Sequence, residues 1–400
     1  MKISYGKNVY DYREIRAVTN TLKKSTQMGE NVSNFEKKIG NIFTKKYSLM
    51  VNSGSSALIL ALNVLNFKKG SEIITPCLNF GTAISAILIS GYKPVFVDVN
   101  IHTLQIDTDL IEKKISKNTK AMVIPNLIGN IPDWYKIKKI AKKYNLKIIE
   151  DSADTLGAKI GKKSTGYFSD ISITSFYGSH IISCAGNGGM LVTNNKIHYR
   201  KAKVLRSWGR MSSLLKDSEN INKRLGIKLK GIEYDKKFVF SEIGYNFEPS
   251  EISASFGLIQ LKKFKLFNKI RNLNFYSHLN FFSNYNDLFI KPTIMSKVKT
   301  NHLAYPLILK KNKFFSRKEL QIYLENNKIQ TRPIFSGNIL RHPAFKNLNN
   351  KKNNVNSFCN SDYIMKNGIL IGCHQGLSKK QIDYMHKVIR KFIIKKKYNL

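Results

Sequence analysis

Acidic residues are scarce in this chain. Only 26 Asp and Glu stand against 67 Lys and Arg in 400 residues, a formal net charge of +41. Such an excess ordinarily points to nucleic acid. Here the lysines are spread along the chain beside Asn, Ile and Tyr, and no recognition motif accompanies them, so nucleic-acid binding is not expected. The charge is expected to help attract an anionic small molecule instead. Cysteine is also sparse. Cys77, Cys184, Cys359 and Cys373 are scattered, with no CxxC and no metal-ligand spacing. That argues against a metal site and a disulfide framework, and for reduced thiols in a cytoplasmic protein. No run of 18 apolar residues occurs, so no transmembrane helix and no membrane partner are expected. The opening MKISYGKNVYDYREIRAV has no apolar core of the signal-peptide kind.

What is present is enough apolar material for a sizeable core: 42% of the residues are hydrophobic and 11% aromatic. A chain of this length fits one large and one smaller domain. The spacing predicts strands over 47–51, 72–75, 94–99, 121–125 and 146–150, with helices before, between and after them. That repeating order predicts α/β architecture, with a mainly parallel sheet covered on both faces. Beyond about residue 262 come strands at 304–309 and 368–372 and helices at 317–326 and 379–394, the composition of a smaller α/β domain.

The stretch from Ile148 to Asn195 organises the rest. It opens with an apolar run ending in Glu150 and Asp151, at the carboxyl end of a strand, where α/β proteins bind their ligands. A carboxylate buried there needs a cationic partner. The stretch closes with Ala185-Gly-Asn-Gly-Gly189 and a β-type segment, and between them lies Ser175-Phe-Tyr-Gly-Ser-His180. No Lys or Arg occurs from Ser164 to Asn195, where the chain average would place about five. Upstream, Ser53-Gly54-Ser55-Ser56 opens an apolar helix, and small residues at a helix start offer free N–H groups to an anion.

These motifs resemble the DegT-type sugar aminotransferase family of fold-type I pyridoxal phosphate (PLP) enzymes. The resemblance implies a seven-stranded-type sheet in a large PLP-binding domain over 1–260, and a small C-terminal domain over 261–400. The large domain would carry the N-terminal helices and a polar insertion at about 206–240. It implies that Asp151 pairs with the ring nitrogen of the cofactor, that Ser55 and Ser56 hold its phosphate with Ser175, and that Phe80 stacks on the ring. Asp154 stands where the family often has Gln or His near the cofactor's 3-oxygen. Asn246, in Gly244-Tyr-Asn, corresponds to a residue that reaches the neighbouring subunit's cofactor phosphate, so a homodimer with shared sites is implied.

The family's covalently attached lysine is missing: its position falls on His180. That substitution is similar to the histidine-containing nucleotide-sugar 3-dehydratase branch, and it implies a cofactor held non-covalently as pyridoxamine phosphate (PMP). Histidine, with an ordinary pKa near ~6.5, can still move protons. The implied activity is 3-deoxygenation of a nucleotide-linked 4-keto-6-deoxyhexose in deoxysugar and lipopolysaccharide or O-antigen biosynthesis, with glutamate as amino donor. The alternative is a PLP-dependent nucleotide-sugar aminotransferase. A related branch carries an iron–sulfur cluster, but Met211 to Phe240 contains no cysteine, so no cluster is expected. Arg332, whose fork can bind two oxygens at once, and His374 are expected to bind substrate. His102, His198, His278, His302, His342 and His386 are expected on the surface or as satisfied structural groups.

Overall fold

The structure is a computed structural model and describes residues 2–215 and 219–398. Its seven-stranded sheet contains β1 (Tyr47–Val51), β2 (Glu72–Pro76), β3 (Lys93–Val97), β4 (Thr119–Pro125), β5 (Lys147–Asp151), β6 (Ile171–Ser175) and β7 (Gly189–Thr193), in the order β1-β7-β6-β5-β4-β2-β3. The pairs among β2 to β6 are parallel, and β7 runs antiparallel to both β1 and β6. The central strands are short apolar runs that bury both faces, as parallel strands covered by helices must. Because β7 is reversed, its start lies at the same sheet edge as the carboxyl ends of β1, β4, β5 and β6. Gly189 is required there: a Cβ on it would stand 2.2 Å from the Ser53 carbonyl oxygen.

Two N-terminal helices, α1 (Tyr12–Leu22) and α2 (Glu30–Phe43), pack against a 32-residue helix, Glu251–Phe282. The α2 N-cap is Gly29, which has no side chain to offer. Glu251 serves instead. Its carboxylate accepts the N–H groups of Gly29 (2.6 Å), Asn31 (2.9 Å) and Val32 (3.0 Å). An anion at a helix N-terminus satisfies donors that the helix cannot satisfy itself.

The long helix leads from the large sheet's core to a second core. There a four-stranded antiparallel sheet runs in the order Phe289–Ile290, Ala304–Leu309, Gly368–Gly372, Thr331–Arg332. Helices Arg317–Asn326 and Lys379–Tyr398 cover it. Ile3 joins this core, bridging to Ile329, so the first residues cross to the C-terminal sheet. The expected polar insertion at 206–240 holds a small hairpin, Ile227–Leu229 with Ile232–Tyr234, whose Ile232 and Tyr234 are exposed. Its residues 216–218 lie outside those described.

The second core also contains a histidine pair. His278 is fully buried, its Nε2 faces the Gly372 carbonyl (3.1 Å), and its Nδ1 meets His386 Nε2 at 3.0 Å. The carbonyl requires a proton on His278 Nε2, so Nδ1 accepts from His386 and both rings are neutral. Burial pushes His278 down to about 3 and His386 down to about 4. Folded values below the unfolded one near ~6.5 mean that the unfolded chain binds more protons. Stability from the pair is therefore present above pH ~6.5 and lost as pH falls toward 4 and 3. His278→Phe is expected to cost about 1–3 kcal/mol at neutral pH, because the Gly372 carbonyl and the His386 N–H lose their partner. It should also flatten the fall of Tm between pH 6.5 and 4, as thermal unfolding across that range will measure.

Candidate active site

A cavity of about 670 Å³ opens at the sheet edge where the strand ends converge. Its floor is made by Pro125, Asp151 and Ser175, the last residues of β4, β5 and β6, with Gly188 at the approach to β7. Alternation along β5 sends Glu150 and Asp151 to opposite faces. Glu150 is fully buried away from the cavity and accepts from Asn126 Nδ2 (2.8 Å), Ser152 Oγ (2.7 Å) and Ser172 Oγ (2.5 Å). Asp151 lines the cavity and, among the described residues, accepts only the Ala153 N–H, at 2.9 Å. Burial, with a further contribution from the Glu150 charge, pushes its carboxyl up to about 6. Asp154, also lining the cavity, accepts the N–H of Ile128 at 2.8 Å, and burial pushes it up to about 7. Ile128 adopts φ +60°, an unfavourable conformation for a β-branched residue, as it presents that N–H.

The helix α3 (Gly54–Leu65) starts beside these acids. Ser53 caps it, accepting the Ser56 N–H at 3.1 Å. A Cβ on Gly54 would lie 2.7 Å from Ser175 Cβ, so the helix start rests directly on the end of β6. Ser55 lines the cavity; Ser56 does not, because its hydroxyl donates to Asn52 Oδ1 at 2.6 Å within the cap. Phe80 caps helix α4 (Gly81–Ile89), is 59% exposed, and meets Phe335 edge to face at 6.3 Å on the cavity rim.

His180 lines the same cavity as the acids. Its N–H donates to the Tyr177 carbonyl at 3.0 Å, and its ring meets Tyr177 edge to face at 5.9 Å. Its Nδ1 is shielded from solvent and has no hydrogen-bond partner. Burial holds the imidazole down to about 4, against a raising contact with the Ser175 backbone, so it is neutral near pH 7. Arg332 also lines the cavity. Its Nη1 donates to the Thr331 carbonyl (2.7 Å) and the guanidinium lies 5.7 Å from the Tyr5 ring. No lysine is among the cavity's lining residues.

Seven expected site residues thus share one cavity: Ser55, Phe80, Asp151, Asp154, Ser175, His180 and Arg332. Three do not line it. Besides Ser56, Asn246 lies in a bridge with Ser207, its carbonyl accepting from Asn52 Nδ2 at 3.5 Å. The third is His374. It is 1% exposed, its Nε2 faces the Ser4 carbonyl (3.0 Å), and its Nδ1 accepts the Gly376 N–H (3.2 Å). One ring nitrogen fixes the N-terminal segment and the other fixes its own loop. His342, satisfied by the Ser336 carbonyl at Nε2 (2.7 Å), also lines the cavity. Tyr5, Asn79, Ser179, Asn187 and Phe345 line it too. Tyr5 arrives through the Ile3–Ile329 bridge, a long-range pairing with no local signal.

The donor set can be tested against the cofactor that the strand-end acid suggests. Two carboxyls face the cavity with no ion-pair partner among the described residues, and Arg332 is the only Lys or Arg lining it. A protonated ring nitrogen would supply a missing cation. The free N–H groups of the α3 start suit a phosphate. Phe80 offers a flat face, and the unpartnered His180 Nδ1 a place for a proton. The residues fit a phosphorylated pyridine.

Residues 9–390 match the DegT/DnrJ/EryC1/StrS aminotransferase family. The chain belongs to that family. Among its relatives is the lipopolysaccharide biosynthesis protein RfbH of Salmonella typhimurium, 34% identical over 369 residues, covering 90% of this chain and 83% of the relative. GDP-4-keto-6-deoxy-D-mannose 3-dehydratase of Escherichia coli O55:H7 is 31% identical over 393 residues, covering 96% and 98%. The solved structure of the E. coli GDP-4-keto-6-deoxy-D-mannose 3-dehydratase with bound hydrated PLP superposes with a TM-score of 0.85 at 30% identity, over 97% of this chain and 100% of that one. The expected fold, that of the fold-type I PLP enzymes, is therefore the one observed.

Proposed function

We propose that this protein is a PLP/PMP-dependent 3-dehydratase of a nucleotide-linked 4-keto-6-deoxyhexose, serving deoxysugar and surface-polysaccharide synthesis. The observation that carries the reading is the cavity's base: an imidazole shares the cavity with the two acids, and no lysine is among the described residues that line it. When bound as the amine, the cofactor would supply an amino group for the sugar ketone and an electron sink. Asp151 keeps the ring nitrogen protonated, and its own raised pKa is relieved by that cation. Ser55, Ser175 and the N–H groups of the α3 start hold the phosphate. Phe80 covers the ring face.

His180 is the proton carrier. Neutral at pH 7 and partnerless at Nδ1, it would take a proton there from the carbon that bears the cofactor's amino group and return it to the oxygen leaving the sugar's C3. The C3 hydroxyl departs as water. The cofactor's nitrogen would leave as ammonia on hydrolysis, and glutamate would be the donor that restores the amine. Arg332 faces the phosphates of the nucleotide. Asn246 acts across a homodimer, on the partner's phosphate site.

The other reading is transfer of the amino group to the sugar, and the family's own description favours it. The two give different products. Incubation with PLP, glutamate and 4-keto-6-deoxyhexoses linked to GDP, CDP, dTDP or UDP is expected to release ammonia and a 3-deoxy sugar from one of the four. A stable amino sugar without ammonia would establish transamination instead.

A further inference from the structure

Arg271, on the long helix, is fully buried. Among the described residues no carboxylate lies within ion-pair distance of it, and its Nε has no hydrogen-bond partner. It spends its charge on three main-chain carbonyls. Nη2 donates to the His180 carbonyl at 3.1 Å; Nη1 donates to those of His302 (3.0 Å) and Leu303 (3.1 Å). A buried cation without a counter-ion is costly, and an apolar side chain of the same volume would fill this space more cheaply. What the guanidinium does that a methionine cannot is hold several acceptors at once in a fixed fork.

Those acceptors belong to the two sides of the cavity. His302 and Leu303 lead into the strand Ala304–Leu309 of the second core, and Leu303 itself lines the cavity. The third acceptor is the base's own carbonyl. His180 is then fixed at both ends of its peptide unit, by Tyr177 at the N–H and by Arg271 at the carbonyl. We propose that Arg271 is a positioning residue for His180: it clamps the turn that carries the imidazole to the wall contributed by the second core, and places a fixed positive charge behind the ring. This rests on His180 being the proton carrier.

The titratable groups facing Arg271 are Tyr5, Cys373, His180, His302 and His374. Those facing His180 are Arg271 and, by ring contact, Tyr177. None of them is an acid, so removing the charge leaves the ring easier to protonate. Two full-length variants separate the clamp from the charge. Arg271→Lys keeps the charge but loses the fork. Arg271→Met loses both.

NMR titration of the His180 ring, assigned by its disappearance in His180→Asn, is expected to move to higher pH in Arg271→Met and to stay near wild type in Arg271→Lys. In Arg271→Lys, kcat for the sugar nucleotide is expected to fall ~10–100-fold with KM within ~3-fold, as for a displaced catalytic group. Should Arg271→Met not fold, Arg271→Lys still decides through kcat and KM. A folded Arg271→Lys with wild-type kcat, or a folded Arg271→Met whose His180 titrates as in wild type, would overturn the proposal. The titration needs no turnover. A shifted ring in a protein inactive on every sugar nucleotide would therefore leave the clamp standing and remove the dehydratase reading.

Discussion

His180→Asn is expected to lower kcat for sugar elimination by ~10²–10⁴-fold while cofactor binding persists. Asparagine is close to histidine in size and can make one similar hydrogen bond, but it cannot take up and return a proton. The groups assigned to holding the cofactor, Ser55, Ser175, Asp151 and Phe80, are other residues of the lining, so retention should survive. The two properties are measured separately, turnover by ammonia release and binding by the absorbance of the protein-bound cofactor. A variant within tenfold of the wild-type rate would place the proton carrier elsewhere.

Asp151→Asn is expected to have opposite effects on the cofactor-free and the loaded protein. Free of cofactor, Asp151 is a carboxyl in an enclosed site with one backbone donor, held up at about 6. A folded value above the unfolded one near ~3.9 means that the folded state binds its proton more tightly. The associated stability is full below that unfolded value and is lost as pH rises through 6. At pH 8 the ionised group destabilises the folded protein by about 3 kcal/mol, and the amide removes that cost. Cofactor-free Asp151→Asn should therefore melt above wild type at pH 8, with little difference at pH 4. Binding reverses the order. The wild-type carboxylate gains a ring cation, and the variant cannot. The loss of a charge-assisted bond in a buried site is expected to weaken cofactor affinity ~30-fold or more and to slow turnover further. Melting curves with and without cofactor at the two pH values test both halves. A cofactor-induced rise in Tm as large in the variant as in wild type would remove Asp151 from the ring nitrogen.

Much of the fold was legible because the relevant signals are local. The apolar runs at 47–51 and 121–125 could only be buried strands, and the helix over Arg317–Asn326 carries its own capping box at Ser316 and Glu319. The acid at the end of β5, the small residues opening α3 and the lysine-free stretch around His180 are likewise consecutive residues, and the structure brings them to one edge. What escaped is what depends on tertiary pairing. Tyr5 and Arg332 meet because Ile3 bridges to Ile329. His374 sits in a polar loop that looks like a binding loop, yet its ring ties Ser4 and Gly376 together. Nothing local places His342, a histidine satisfied by the Ser336 carbonyl, on the cavity lining. Arg271 is one cation among many on a Lys- and Asn-rich helix. Only its burial and its three carbonyls set it apart.

The claim beneath all of this is that the cofactor is not bonded to the protein. It is tested most directly by a crystal structure of the protein grown with PLP and glutamate. We expect a ring seated between Asp151 and Phe80, its phosphate on the α3 start, His180 facing the substituent carbon, and a clear break in density between that carbon and every side chain. Unbroken density from a lysine, of this protomer or its partner, to that carbon would contradict the account.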